Sequence, residues 1–176
     1  MTASDQLLIK GLKAGDEQSF ERLFDVYYEL LISYASKYLS SPDERSEVIQ
    51  RVFIRLFERR GSLEIQSLKA YLLKSTYHGC LEELRRRKHF LDTKETDQVD
   101  DTDYIEQAER EAEIWKAIDT LPKKCHQIFV MSRFDDLKNQ QIADQLGISK
   151  RTVETQISIA LKTLRKNLLS LFWIFS

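Results

Sequence analysis

Lys150, Arg151, Thr152, Glu154, Thr155, Gln156 and Ser158 stand between apolar residues that recur at a helical spacing. Side chains of these types bond phosphate oxygens and base edges, so the chemistry within their reach is nucleic-acid recognition. A second set lies upstream. Tyr71 and Tyr77 share one expected helix with Lys74, His78, Arg85 and Arg86, and aromatics among cations can stack on unpaired bases. The alternative for the terminal RRRK run is a solvated helix end favoured by the helix dipole. No glycine-rich phosphate loop, metal-ligand spacing or nucleophile motif accompanies either set. An enzyme, a metal and a cofactor are therefore not expected.

The first set needs a rigid frame, and IADQLGISKRTVETQI (142–157) supplies one. Ile142, Ala143 and Leu146 share one helical face. Gly147 can take the left-handed backbone that often ends a helix. Ser149 is a good N-cap for a second helix, with Thr152 at N3. Val153, Ile157 and Leu161 repeat at i, i+4, i+8 as an apolar stripe. Two helices around a glycine turn, the second polar on its outer side, describe a helix-turn-helix. An ordinary helical hairpin is the alternative; the register of Ala143, Gly147, Ser149 and Val153 favours DNA. Lys138 precedes the first helix where Ser or Thr would cap better.

The 176 residues bound one domain or two small ones. Apolar residues make up 42% and charged ones 31%, enough to build cores and too apolar for general disorder. Five glycines, two prolines and no alternating strand pattern argue for an all-α chain. Cys80 and Cys125 lie far apart with no CxxC, and His78, His89 and His126 share no ligand spacing. Buried thiols of a cytosolic protein are expected. The polar N-terminus lacks a signal-peptide pattern, so the expected location is cytoplasmic. The terminal LLSLFWIFS is far shorter than the roughly 20 residues of a membrane span. It either docks on the preceding helices or serves as a partner-binding or membrane-surface tail.

A net charge of −1 conceals blocks. Lys69–His89 carries six cations against two acids, and Lys138–Lys166 repeats that balance. Between them, Asp92–Glu113 carries ten acids against two cations. TKETDQVDDTD has no apolar periodicity and reads as a flexible linker. Basic patches can thus face phosphates while the acidic stretch cancels the total.

Four helices are expected before the linker. They run from Ser4 to about Ala14, from Asp16 to about Tyr38, from Pro42 onward, and from about Ser67 to Phe90. In the third, Ser41 and Glu44 form a capping box around Pro42, and Val48, Ile49, Val52, Phe53, Leu56 and Phe57 make the apolar face. The stripe Phe20, Phe24, Tyr27 reads as core. After the linker come a helix from Ile105 to about Thr120, one over LPKKCHQIFVMSRF with Cys125, Ile128, Phe129 and Met131 inward, and the helix-turn-helix.

VIQRVFIRLFE, LKAYLLKSTYHGCLEELRRRK and LPKKCHQIFVMSRFDDLKNQQIADQLGISKRTVETQISIALKTLRK, in that order, resemble successive regions of bacterial sigma factors. The resemblance is to the small extracytoplasmic-function class of the sigma-70 family, and it covers nearly the whole chain. It implies a region 2-like helical bundle over residues 1–91, an acidic linker over 92–104 and a region 4-like helix-turn-helix domain over 105–176. It implies that Glu47, Gln50, Phe53 and Arg55 dock on the clamp helices of core RNA polymerase, where a charged helix face beside an exposed aromatic suits a polar-rimmed interface. Tyr71, Lys74, Tyr77, His78, Glu82, Arg85 and Arg86 fall in the segment that opens and reads the downstream (−10) promoter element and captures a flipped base. Arg151, Thr152, Glu154, Thr155 and Ser158 would face the major groove of the upstream (−35) element, with Lys150 and Lys162 on phosphates. The linker would thread the polymerase channel. An anti-sigma factor, which in this class can be membrane-anchored, is the further partner implied. His78 stands where the family usually has Asn, Glu82 where it has Asp, and Arg51 where an acid is common. Other function classes are a helix-turn-helix regulator that does not bind core polymerase, and an enzyme; a regulator would not need the second basic, aromatic segment.

Overall fold

The computed structural model describes the backbone over residues 3–92 and 102–174 and side chains over 4–88 and 104–167. Most of the linker expected at 92–104 lies outside those described residues, as do the side chains of the apolar tail, whose backbone through Ile174 belongs to the last helix. Every regular element among them is a helix: α1 (Ala3–Ala14), α2 (Glu17–Ala35), α3 (Pro42–Arg59), α4 (Leu68–Asp92), α5 (Thr102–Asp119), α6 (Lys123–Arg133), α7 (Asn139–Leu146) and α8 (Lys150–Ile174).

The chain divides into two compact units, with the boundary between Glu109 and Arg110, inside α5. The acidic composition pointed to a break before α5. The first turns of α5 belong instead with the N-terminal unit, because Ala108 is buried and its carbonyl accepts the Tyr77 hydroxyl at 2.8 Å.

In the N-terminal unit, α1 and α2 form a tight hairpin. Gly15 takes φ +78°, a conformation that L side chains disfavour. Asp16 caps α2 by accepting the Ser19 N–H at 3.0 Å. The two helices cross at Gly11, where a Cβ would run into the Ser19 side chain. The expected extent of α2 to Tyr38 is too long by a turn. The chain tightens after Ala35 through i to i+3 bonds, and Tyr38 folds back, fully buried, against Tyr77.

Ser41 caps α3 with Pro42 in the first turn. Only half of the expected capping box is present, because Glu44 pairs with Arg87 of α4 at 3.5 Å. A tertiary partner has outcompeted the local one. Ser67 caps α4 through the Ala70 N–H. At Gly79, α4 approaches α3 so closely that a Cβ would meet Val48 at 2.8 Å. Cys80 is buried beside it, and burial pushes its thiol up to about 12. It stays protonated and inert.

The C-terminal unit is a small helical core. Ile128 and Met131 of α6, Ile142 and Ala143 of α7 and Val153 of α8 pack together, flanked by Leu137, Leu146, Ile148 and Ile157. Gly147 adopts the expected left-handed conformation, φ +63°. Ser149 caps α8 by accepting the Thr152 N–H at 3.0 Å. Lys138 cannot cap α7 with its own side chain, but Gln141 reaches back to accept the Lys138 N–H at 2.8 Å. The inner stripe of α8 departs from the expected i, i+4, i+8. Val153, Ala160 and Leu164 are buried, whereas Leu161 is 42% exposed. Strict i+4 steps drift around a helix of 3.6 residues per turn, and a step of three restores the face. Cys125 is buried, and its S–H donates to the Gln156 carbonyl at 3.3 Å.

Candidate nucleic-acid and polymerase interfaces

Arg151, Glu154, Thr155, Ser158 and Lys162 lie on one face of α8, opposite Val153 and Ala160, and all five are exposed. Lys150 is exposed at the first turn and pairs with Glu154 at 3.8 Å; Thr152 is half-buried behind Ser149. The Thr155 hydroxyl donates to the Arg151 carbonyl at 2.9 Å. Its oxygen remains an acceptor on an exposed side chain, which suits a donor on a base edge. The positive end of the helix dipole adds to Lys150 and Arg151 at the same tip.

On α4, Tyr71, Lys74, His78, Glu82 and Arg85 form a second stripe along one face. His78, Glu82 and Arg85 are exposed; Tyr71 and Lys74 are half-buried. Tyr77 does not join them. It lies roughly a quarter-turn away, is fully buried, and spends its hydroxyl on Ala108. The expectation that Tyr77 stacks on a base is therefore corrected: its ring is core. The helical wheel alone separates position 77 from 71, 74, 78, 82 and 85.

On α3, Glu47, Gln50 and Arg55 are exposed on the side away from the core. Phe53 is the second correction. It is 2% exposed and packs against Phe20 and Phe24, with ring centroids 6.2 and 4.8 Å away. The apolar side chain on the outer face is its neighbour Ile54, 55% exposed between Gln50 and Arg55. Position 54 shares a face with 47, 50 and 58 in the helical period, a signal present in the sequence.

Sequence reading also missed how α3 and α4 are joined. Glu83, 4% exposed, accepts from Arg51 Nη2 at 3.1 Å and from Arg86 Nε and Nη2 at 3.2 and 2.5 Å. Burial alone would raise the Glu83 carboxyl; the hydrogen bonds and charges of Arg86 and Arg51 outweigh it and hold the group below the usual glutamate value. Arg55 and Glu82 pair across the same helices at 3.5 Å, both exposed.

Two family descriptions match the chain: Sigma-70 region 2 over residues 23–90 and Sigma-70, region 4 over residues 111–164. The chain is similar to the ECF RNA polymerase sigma factor SigW of Bacillus subtilis, 25% identical over 176 residues, covering 91% of this chain and 94% of that protein. It is also similar to the RNA polymerase sigma-E factor of Streptomyces coelicolor, 24% identical over 160 residues and 89% of each chain. Among solved structures, CnrH in complex with the cytosolic domain of CnrY aligns over 98% of this chain and 99% of that one, at 17% identity and a TM-score of 0.44. Each family description falls within one compact unit, region 2 before region 4, and the chain belongs to the sigma-70 family as an extracytoplasmic-function sigma factor.

Proposed function

We propose that the two units of this sigma factor divide the recognition of one promoter. The chain binds core RNA polymerase and directs promoter-specific initiation. In our reading, the region 2-like part (1–91) presents Glu47, Gln50, Ile54 and Arg55 to the polymerase clamp. It presents Tyr71, Lys74, His78, Glu82 and Arg85 to the downstream element. The region 4-like part (105–176) presents Arg151, Glu154, Thr155 and Ser158 to base edges of the upstream element, with Lys150 and Lys162 on phosphates. The acidic stretch between them keeps the two basic faces apart along the chain. The protein performs no bond chemistry; it melts DNA by binding the open strand better than the duplex. It works in the cytoplasm, and among the described residues no helix is long and apolar enough to cross a membrane. An anti-sigma factor is part of this reading, resting on the family resemblance.

The observation that carries the reading is the α4 stripe, since a regulator that reads only duplex DNA needs no second surface that sets a half-buried aromatic beside Lys74 and Arg85. Run-off transcription on a pool of genomic fragments with core polymerase tests it. Discrete transcripts that require the protein are expected. Duplex binding without transcripts or comigration with core would leave a helix-turn-helix regulator.

A further inference from the structure

Three ion pairs lace α3 to α4 in antiparallel order: Glu44 to Arg87, Arg51 to Glu83, and Arg55 to Glu82. The exposed Arg55–Glu82 pair is worth little. The middle one differs. Its carboxylate is buried, and it is shared with Arg86 in a two-nitrogen fork. A buried carboxylate that lost either arginine would be left poorly paired, so the arrangement is held tightly. Arg51 also lies 3.9 Å from Glu47 on the outer face of α3. The chain of contacts therefore runs from the α3 surface, through the interior carboxylate, to the basic end of α4.

We infer that Glu83 is a positioning residue. By gripping Arg51 and Arg86 together it fixes the polymerase-facing side of α3 relative to the strand-facing side of α4. Arg86, committed to Glu83, is a strut, and Arg85 and Lys88 carry the phosphate contacts at that end of the helix. This rests on the assignment of faces proposed above.

The test uses holoenzyme assembled with saturating core on a promoter carrying a fluorescent base in its downstream element. Saturating core masks a simple loss of fold stability by mass action; misplacement of one face against the other survives it. Glu83→Gln is expected to bind core within about twofold of the parent and to open the promoter about tenfold more slowly. Arg51→Lys, which keeps the charge but not the planar guanidinium that reaches Glu83 and Glu47 at once, is expected to fall between the parent and Glu83→Gln. In strand-binding titrations, Arg85→Ala should lower the salt slope by about 0.7, the value for one single-strand phosphate contact. Arg86→Ala should leave the slope unchanged while slowing opening. Parental opening rates in Glu83→Gln or Arg51→Lys would overturn the inference. So would equal slope losses in Arg86→Ala and Arg85→Ala. Unchanged core affinity in Arg55→Ala together with unchanged strand binding in Arg85→Ala would instead sink the assignment of faces, and the purpose of the clasp with it.

Discussion

Arg151 and Thr155 stand one helical turn apart on the outer face of α8, joined by a hydrogen bond from hydroxyl to carbonyl. Removing either side chain should relax preference at the upstream element without abolishing binding, read in a promoter-mutant panel; unchanged preference in both variants would count against base contact. Lys162→Ala should instead weaken binding on every sequence and lower the duplex salt slope by about 0.9. Phe53 calls for a different measurement. Its ring fills the core between α2 and α3, so Phe53→Ala should cost about 3–5 kcal/mol in urea unfolding. Ile54→Ala, at an exposed site, should leave stability within about 0.5 kcal/mol and lower core affinity. Both aromatic corrections share a cause. Residue type suggested a contact, and position on the wheel decided the direction. The polar face of α8 was legible because its polar residues follow the helical period, although Leu161 falls outside the buried stripe. The list for α4 erred at Tyr77, whose aromatic body and polar tip suggested a surface contact although the wheel sets it about a quarter-turn from the others.

Helix boundaries were readable wherever a local signal set them. Asp16, Ser41, Ser67 and Ser149 all act as caps, and Gly147 closes α7 in the left-handed region. A Cβ at Gly147 would meet no neighbour, so the cost of Gly147→Ala is backbone strain alone. It should be roughly 1–2 kcal/mol, seen as a lowered Tm with little change in DNA preference. Gly79→Ala tests the opposite case: φ is ordinary, but Val48 is in the way. That variant should disturb the α3–α4 crossing and the pairs that run across it. What the sequence concealed at this level was long-range choice. Glu44 had a plausible local role and took a partner on α4. Tyr38 fitted the period of α2 and folded back onto Tyr77. Short-range patterns carry no information about which distant side chain arrives first.

Ten acids between two basic blocks mark a change of character along the chain, and the chain divides into two compact units within α5. The start of α5, although acidic, packs with the N-terminal unit through buried Ala108. Acid sensitivity should also concentrate in that unit. Glu83 and the exposed Asp16 both titrate below their ordinary values, Glu83 because its arginines outweigh its burial and Asp16 chiefly through the Ser19 hydroxyl. A depressed folded value means that the unfolded chain binds protons first. The stabilising contribution is therefore present above the ordinary carboxylate range, about pH 4, and is lost as pH falls through the folded values. Denaturation followed against pH should show this loss, and Glu83→Gln should remove part of the slope. The chain's only two cysteines, Cys80 and Cys125, fall one in each unit and both are buried. Each unit thus carries its own reporter. A thiol-reactive dye should leave the native protein unmarked, and stepwise labelling under mild denaturant, mapped by peptide mass, would tell which half opens first and whether polymerase or DNA slows the opening of one half or of both.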